Sequence, residues 1–342
     1  EITGTPIREF NLEPEACIYA YREGRPAIRE MFGPDVALPA PATPAISYGH
    51  VNCLGSRLLF PEGGEVAHTH IYGSLQEGIT ALQRPVDWAA SGMAPFYLQF
   101  QEQMRKAFPD EQVSLSFGAE GPITTAYELR GEGFFVDIFD DPEGAAEFLR
   151  LVVDSIVDYA RWRAEANGTP FPNPEGGGMV DDIASFIPPH MFRQVVLPAW
   201  ERYYRGITTG KRSAHVEDLR PEQLIFLEEI GLWNYDPSVS PRLTPPIIVA
   251  HCRVPFGWRL VNFHYREMTL QDIEDFVFLS CADRASGVFT HVCDNMCSPE
   301  RVEQVHAFIR AAKEAKRLVE EEGLTREQVR QRVSPENREG FW

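Results

Sequence analysis

The sequence lacks the features that would direct the chain to a membrane or to nucleic acid. None of its apolar stretches approaches the roughly 20 unbroken apolar residues that a bilayer-spanning helix needs. Basic residues are outnumbered, with 32 Lys and Arg against 50 Asp and Glu, and the net charge is −18. Because nucleic acids and anionic membranes select basic surfaces, we expect neither as a partner.

Three other classes of protein are disfavoured by what is missing. Residues 1–16 have neither the basic nor the apolar block of a signal peptide, so we expect a cytoplasmic protein. Six cysteines in 342 residues do not suggest a disulfide framework and indicate thiols free for packing or ligation. No strand-like run is followed by G-x-G-x-x-G or G-x-x-x-x-G-K-[ST], so a nucleotide-binding fold gains little support.

The chain does contain an alternation of strand-like and helical runs. Residues 1–75 are rich in Pro and Gly, and we predict an irregular N-terminal extension packed on the main domain. In residues 76–342, strand-like runs such as "QVSLSF" (112–117) and "PPIIVAHC" (245–252) alternate with amphipathic helices such as 140–166. This alternation is typical of a parallel sheet. About seven or eight such units predict an α/β fold, a single (β/α)₈ TIM barrel.

In such a barrel the active site lies at the carboxyl ends of the strands. The polar residues at the predicted ends are, in chain order, Asp181, Asp182, His215, Glu217, Tyr235, Asp236, His251, Cys252, His291 and Cys293. Each has an ordinary alternative role, because Asp before a helix is usually an N-cap and Cys in a buried strand is usually a small hydrophobe. Their density at the strand ends nevertheless indicates a functional site.

A metal site is the sharpest hypothesis for these residues. In "SAHVEDL" (213–219), His215 and Glu217 are two residues apart and would point to the same side of a strand. Cys293 ends the last predicted strand and is expected to face them. Three protein ligands with one open position are typical of a catalytic zinc, and a metal-free pocket is the alternative.

Two further sets of residues are weaker candidates for the same site. Cys297 could take the place of Cys293, but it falls in the turn before the last helix. His68 and His70 have the H-x-H spacing of a ligand pair, but they lie in the opening segment, where a polar loop is the more ordinary interpretation.

Several segments in order resemble the uroporphyrinogen decarboxylase superfamily over about residues 45–320. The segments are "GAEGPITTAYELRG" (118–131), "MVDDIASFIPPHMFRQVVLPAW" (179–200), "GKRSAHVED" (210–218) and "THVCDNMCSPERV" (290–302). The resemblance implies a single (β/α)₈ barrel. The site pattern of the chain is similar to that of the zinc-dependent corrinoid methyltransferases, which hold zinc with His-x-Cys and a distant Cys. Here Glu217 replaces the middle Cys.

The resemblance therefore implies a zinc-dependent methyltransferase acting on a small molecule, with a corrinoid carried by a partner protein. His215, Glu217 and Cys293 would bind the metal. We expect catalytic roles for Asp181, Tyr127, His251 and His291, and substrate-binding roles for Tyr235, Asp236, Asp182 and His50. The exterior, in a chain with 22 Phe residues, would permit a homodimer.

The chain departs from the decarboxylases of the superfamily in two places. Arg22 and Arg25 have the wrong spacing for the arginine element that grips substrate carboxylates, and no acid lies near Ser47 and Tyr48, although Tyr127 matches the pocket tyrosine. A metal-free decarboxylase or lyase that uses the same residues is the first alternative function. A barrel that only binds or assembles is the second, and the many ionisable residues at the strand ends disfavour it.

Overall fold

The computed structural model describes residues 2–338 and 341 as a mixed α/β fold. Its α-helices are α1 Ile7–Leu12, α2 Pro14–Phe32, α3 Gly49–Cys53, α4 Leu75–Leu82, α5 Ala94–Ala107, α6 Pro122–Arg130, α7 Gly133–Asp140, α8 Pro142–Asn167, α9 Phe192–Ile207, α10 Ile225–Glu229, α11 Pro245–His251, α12 Leu270–Ala282, α13 Pro299–Lys316 and α14 Arg326–Arg330. Its strands are β1 Leu58–Leu59, β2 Ala67–His68, β3 Gly176–Val180, β4 Lys211–His215, β5 Asn234–Asp236, β6 Gly257–Leu260 and β7 Gly287–Thr290.

Parallel pairing follows chain order across the fold. Strands β3, β4 and β5 form one parallel sheet, and β6 and β7 form another. A parallel bridge between Tyr235 and Phe256 links β5 to the start of β6. The prediction of an α/β fold with parallel strands is confirmed, but the sheets are small and open, so the described residues do not show a closed barrel of eight strands.

The expectation of an irregular opening segment is wrong for its first part. Residues 7–32 form α1 and α2, and Pro14 starts α2, because its ring fixes φ near the helical value and its missing N–H is not needed there. Further along, Ala42 and Ile46 form parallel bridges with Ser114 and Phe117. This segment thus adds extended chain beside 114–117, while the division of the chain at residue 75 stays a prediction.

The predicted strand at 245–252 is also wrong, because residues 245–251 are α11. Its β-branched residues favour a strand, but Thr244 accepts a hydrogen bond from the Ile247 N–H, and Pro245 occupies the first turn. These two signals start a helix. The strand at this point is instead β6, Gly257–Leu260, which the sequence analysis did not identify.

The apolar residues form two packed clusters. One surrounds β3–β7 and their helices and includes Trp200, Tyr204 and Phe192. The other joins α5 and the 113–117 segment to α8 and includes Trp88 and Tyr97. Within the described part of the chain, no helix combines the length and the apolar character needed to cross a bilayer.

Candidate metal centre at the carboxyl ends of β3, β4 and β5

The register of three neighbouring strands brings the predicted residues together. Val180, His215 and Asp236 are partners across β3, β4 and β5, so the three strands end side by side. The ladder continues past the ends, because the Asp181 N–H donates to the His215 carbonyl at 3.1 Å and the Val216 N–H to that of Asp236 at 3.2 Å. The side chains that follow these strands therefore share one edge.

At this edge Asp182, His215 and Glu217 form a group able to hold a metal. One nitrogen or oxygen atom from each lies within 4.8 Å of the others, and no other such group occurs within residues 2–338 and 341. The Nε2 atom of His215 is 3.7 Å from Oδ1 of Asp182 and 3.6 Å from Oε1 of Glu217. The prediction that His215 and Glu217 face the same side is confirmed.

The imidazole of His215 is oriented by a second carboxylate. Its Nδ1 donates to Oδ2 of Asp236 at 2.9 Å, which leaves Nε2 directed to Asp182 and Glu217. Nη2 of Arg259 lies 3.3 Å from Oδ2 of Asp236 and fixes that carboxylate in turn. Histidines that bind metals commonly donate their second ring N–H to a carboxylate in this way.

Opposing effects set the pKa values of this pair. Burial lowers the pKa of His215, but the hydrogen bond to Asp236 and the nearby carboxylates outweigh it and leave the pKa raised. Burial raises the pKa of Asp236, but the hydrogen bonds from His215 and from the Ser238 N–H leave it lowered. Asp236 therefore stays ionised and holds the ring through a charge-assisted hydrogen bond.

Asp182 is held by the backbone of the residue it faces. Its Oδ1 accepts the Glu217 N–H at 2.9 Å, which ties the turn after β3 to the turn after β4. Burial raises the pKa of Asp182, and this hydrogen bond opposes the rise. This backbone contact therefore helps to hold the carboxylates of Asp182 and Glu217 next to the imidazole of His215.

Asp181 lies beside the group but is fully enclosed. Its carboxylate accepts from the N–H groups of Ile123 and Thr124 at 3.3 and 2.7 Å and from Nε1 of Trp200 at 2.6 Å. Burial raises its pKa to about 6, against the effect of these donors. A Cβ atom at Gly121 would lie 2.5 Å from the Cβ of Asp181, so this close approach requires glycine.

The comparisons with known proteins bear on these same segments. The family model of uroporphyrinogen decarboxylase matches residues 41–232, which is more than half of the chain. The chain belongs to the uroporphyrinogen decarboxylase family. The matched range contains Asp182, His215 and Glu217, and the predicted recognition of this family is confirmed.

The fold of this family member is also similar to a solved structure. A methyltransferase from Methanosarcina mazei superposes with a TM-score of 0.65 and 18% sequence identity, over 92% of this chain and 89% of that chain. At that identity the similarity establishes the fold. No curated protein matches the chain.

The predicted metal set needs a correction in one member, Cys293. The structure groups Asp182, and not Cys293, with His215 and Glu217. Strand β7 ends at Thr290, and the thiol of Cys293 turns back to the carbonyl of His291, with Sγ 3.7 Å from its oxygen. Asp182 instead follows β3, which is hydrogen-bonded to β4. Asp182 was expected only as a substrate-binding residue.

Five other predicted residues do not have the positions or roles assigned to them. Tyr235 is fully buried and donates to the Val216 carbonyl at 2.9 Å, so it packs the sheet and is closed to a substrate. His50 is 1% exposed, bonds Ser155, and packs on Trp88 and Tyr159.

His251 ends helix α11 and is exposed, so the expectation that it follows a strand is wrong. His291 is exposed beyond β7 and its ring packs on Phe289. The structure brings neither histidine into the group at His215. Asp236, expected to contact substrate, instead orients His215.

Three relevant residues were not identified from the sequence. Arg259 lies on β6, a strand that was missed. Glu120 and Glu128 both fall inside the segment 118–131, whose resemblance to the family was noticed for its Gly and Pro residues. No separate signal in the sequence marked Glu128, because its burial depends on how α6 packs against other segments.

Proposed function

We propose that the protein is a metal-dependent methyltransferase acting on a small molecule, with a divalent ion, most simply zinc, held by Asp182, His215 and Glu217. The observation that carries this proposal is the convergence of the His215 Nε2 atom and two carboxylates, with the ring already fixed by Asp236. The fold similarity to a methyltransferase supports the reaction class.

The geometry fits such an ion. Zinc bonds of about 2.0–2.2 Å at tetrahedral angles place ligand atoms about 3.3–3.6 Å apart. The Nε2 atom of His215 lies 3.7 and 3.6 Å from the oxygens of Asp182 and Glu217. Small rotations of the carboxylates would complete the set. Because two of the three ligands are oxygen atoms, manganese and iron are reasonable competitors for zinc.

A bound ion, Asp236 and Asp181 would each have a separate role in the reaction. A bound ion would act as a Lewis acid on a substrate heteroatom, since three protein ligands leave one position open. Asp236 would keep the His215 ring in place and favour its Nδ1–H tautomer. Asp181 would act as a positioning residue, because it fixes the start of α6 against β3.

Two parts of the proposal rest on the family alone. A corrinoid on a partner protein would donate or accept the methyl group, in line with the methyltransferase branch that the chain resembles. The parallel strands would complete the closed (β/α)₈ barrel of the family. The similar solved structure bears on the barrel alone, because a similarity of fold does not carry a partner or a cofactor with it.

The test is metal content together with methyl transfer. The purified protein would be analysed for zinc, manganese and iron, then stripped with chelator and titrated with each ion. Free methylcobalamin, followed by its visible spectrum, would serve as the methyl donor for a panel of thiols, amines and phenols. We expect about one equivalent of one ion and loss of transfer on stripping. A protein that binds none of the three ions above background would refute the proposal.

The family match keeps a metal-free decarboxylase as the second candidate. The observation in its favour is the uroporphyrinogen decarboxylase model itself, which covers residues 41–232. In that case Tyr127 would supply a proton near the carboxylate being lost. Release of carbon dioxide from candidate acids at a rate unchanged by chelator would favour this function over methyl transfer.

A further inference from the structure

A continuous row of six aromatic rings ends next to the candidate metal centre. Successive ring centroids are 4.4, 5.5, 5.3, 5.8 and 6.0 Å apart. We call this the aromatic row, and its members in order are Tyr48, His68, His70, Tyr127, Phe135 and Phe186. The last ring is 65% exposed and ends the helical turn that begins at Asp182, a member of the metal group. The row therefore ends at a solvent-exposed ring in the same helical turn as Asp182.

Two carboxyl groups lie beside this row. Glu120 precedes Gly121, whose N–H donates to the Val180 carbonyl, so Glu120 is at the same strand edge as the metal group. Glu128 is on α6 and is 3% exposed. Its backbone carbonyl accepts from Nδ1 of His70 at 2.9 Å, and its carboxyl group adds to the effect of burial in raising the pKa of Tyr48, the first ring of the row.

The pKa values of the two carboxyl groups are both raised, and each is influenced by neighbouring acidic residues. Burial raises the pKa of Glu120 to about 7, and Asp182 and Asp181 contribute to the rise. Burial raises the pKa of Glu128 well above its usual value, and Glu120 adds to it. Glu120 thus interacts with the acidic residues at the end of β3 and with Glu128.

Each carboxyl group has one buried oxygen without a hydrogen-bond donor, although the side chain of Ser47 bonds to Glu120. The Oε2 atom of Glu120 and the Oε1 atom of Glu128 are buried, and neither has a hydrogen-bond partner in the part of the chain that the structure describes. A buried acceptor without a donor is destabilising, and most such groups in proteins are satisfied. By contrast, the fully buried Asp181 has three N–H donors.

We propose that Glu120 and Glu128, together with the aromatic row, form a subsite that binds a protonated amino group of the substrate. An ammonium group would offer N–H donors to both carboxyl oxygens. Its positive charge would be attracted to the faces of the rings of Tyr48 and Tyr127. A carboxylated or sulfonated substrate is disfavoured, because it would place a further negative charge beside four acidic side chains, those of Glu120, Glu128, Asp181 and Asp182. The inference rests on the proposed function only in treating the metal group as the reacting end of the same site.

The test compares three small aryl probes that differ in charge. Benzylammonium, benzyl alcohol and benzoate would be titrated into the full-length protein by calorimetry or ligand-observed NMR at pH 8. We expect benzylammonium to bind about tenfold more tightly than benzyl alcohol, and benzoate to bind most weakly, because the charge and the rings act together. Glu120→Gln and Glu128→Gln should each remove most of this preference. Glu132→Gln, a matched change at an exposed position in the following turn, should leave it within about twofold.

Three results would overturn the subsite. They are equal binding of benzyl alcohol and benzylammonium, tighter binding of benzoate, or an ammonium preference that survives in the Glu120→Gln/Glu128→Gln double variant. If Glu128→Gln fails to fold, Glu120→Gln and the three probes on the wild type still decide the matter.

Running the titrations on chelator-treated and zinc-loaded protein separates the two proposals. A preference for the cation in a protein that binds no metal would uphold the subsite and refute the metal-dependent function. A protein that binds metal without preferring the cation would refute the subsite alone.

Discussion

Two sets of acidic side chains meet at the same strand edge, and they are held in opposite ways. Around His215, Asp236 has the imidazole and Arg259 as partners, and Asp182 accepts the Glu217 N–H. A short distance away, Glu120 and Glu128 each have a buried oxygen without a donor.

This difference separates the acidic groups that the fold has already positioned from those that keep a buried oxygen without a partner. A carboxylate with fixed donors is ionised and preorganised, as a metal site or its supporting shell requires. An ionised carboxyl group that is buried without donors destabilises the folded state, and a bound cation would reduce this effect. The same residue type thus has two functions within one site, set by its neighbours.

Removing the imidazole of His215 should reduce metal affinity more than any other change. His215→Ala deletes the ligand on which both carboxylates converge, so we expect metal affinity to fall by more than about 100-fold, beyond the usual effect of a supporting residue. Metal content after gel filtration measures this. His251→Ala is the matched control, because that exposed histidine lies outside the group. Undiminished metal in His215→Ala would mean that the ion, if any, is bound elsewhere.

Weakening the support of the ring should have the next largest effect. Asp236→Asn keeps the shape but removes the charge that fixes the His215 Nδ1–H, and metal affinity should fall about 10–100-fold. Asp236 also keeps the pKa of His215 raised. In Asp236→Asn, protons should therefore compete less with the metal for His215, so the metal affinity should fall less between pH 8 and pH 6 than it does in the wild type.

Competition titrations at pH 6 and pH 8 measure both effects. Asp218→Asn is the control, since Asp218 pairs with Arg242 and not with His215. Equal affinities for Asp236→Asn and the wild type would show that Asp236 does not position the ligand.

The buried carboxyl group of Glu120 should make the free energy of unfolding depend on pH. The pKa of Glu120 is raised from 4.5 to about 7, so the folded state binds the proton more tightly than the unfolded state. The associated stability is fully present below about pH 4.5 and is lost as the pH rises through about 7. Glu120→Gln cannot ionise, so it should gain about 1–3 kcal/mol relative to the wild type between pH 5 and pH 8.

Urea denaturation at these two pH values checks the change for Glu120. Glu132→Gln, at an exposed position, should show no pH-dependent difference from the wild type. A Glu120→Gln variant that tracks the wild type across this range would mean that Glu120 is already compensated in solution.

The smallest effect is expected at the residue that the sequence analysis favoured as a metal ligand. Cys293→Ser should change metal affinity by less than about threefold, because the structure places its thiol outside the group at His215. Asp182→Asn is the informative companion and should weaken binding by about 100-fold or more, as expected for a direct ligand. If the two variants behave in the reverse order, the zinc set with Cys293 is correct and the fold rearranges to bind the ion.

Much of the fold was predictable because the signals are local. The helix predicted at 140–166 is α8 Pro142–Asn167, with Asp141 accepting the Gly144 N–H at its start. The strand carrying His215 was also predicted correctly. Residues 245–251 were predicted as a strand because of their β-branched content. The capping signals of Thr244 and Pro245 instead start a helix there.

The candidate site was predictable only in part, for a related reason. That His215 and Glu217 share a side follows from the alternation of side chains along a strand, which is a property of the backbone. The third member depends on which strand pairs with β4 and on the direction the chain takes after β7. Those features are set by packing between distant segments.

The sequence by itself determined the alternating α/β order, the family, and the placing of an imidazole and a carboxylate on one side of a strand end. Periodicity, capping and motif spacing are short-range properties that are written directly in the chain. Only the tertiary structure decided that Asp182 and not Cys293 completes the group, and that Glu120 and Glu128 each keep a buried oxygen without a donor. The physical reason is that partners for buried polar atoms come from segments far apart in sequence, so long-range packing alone assigns them.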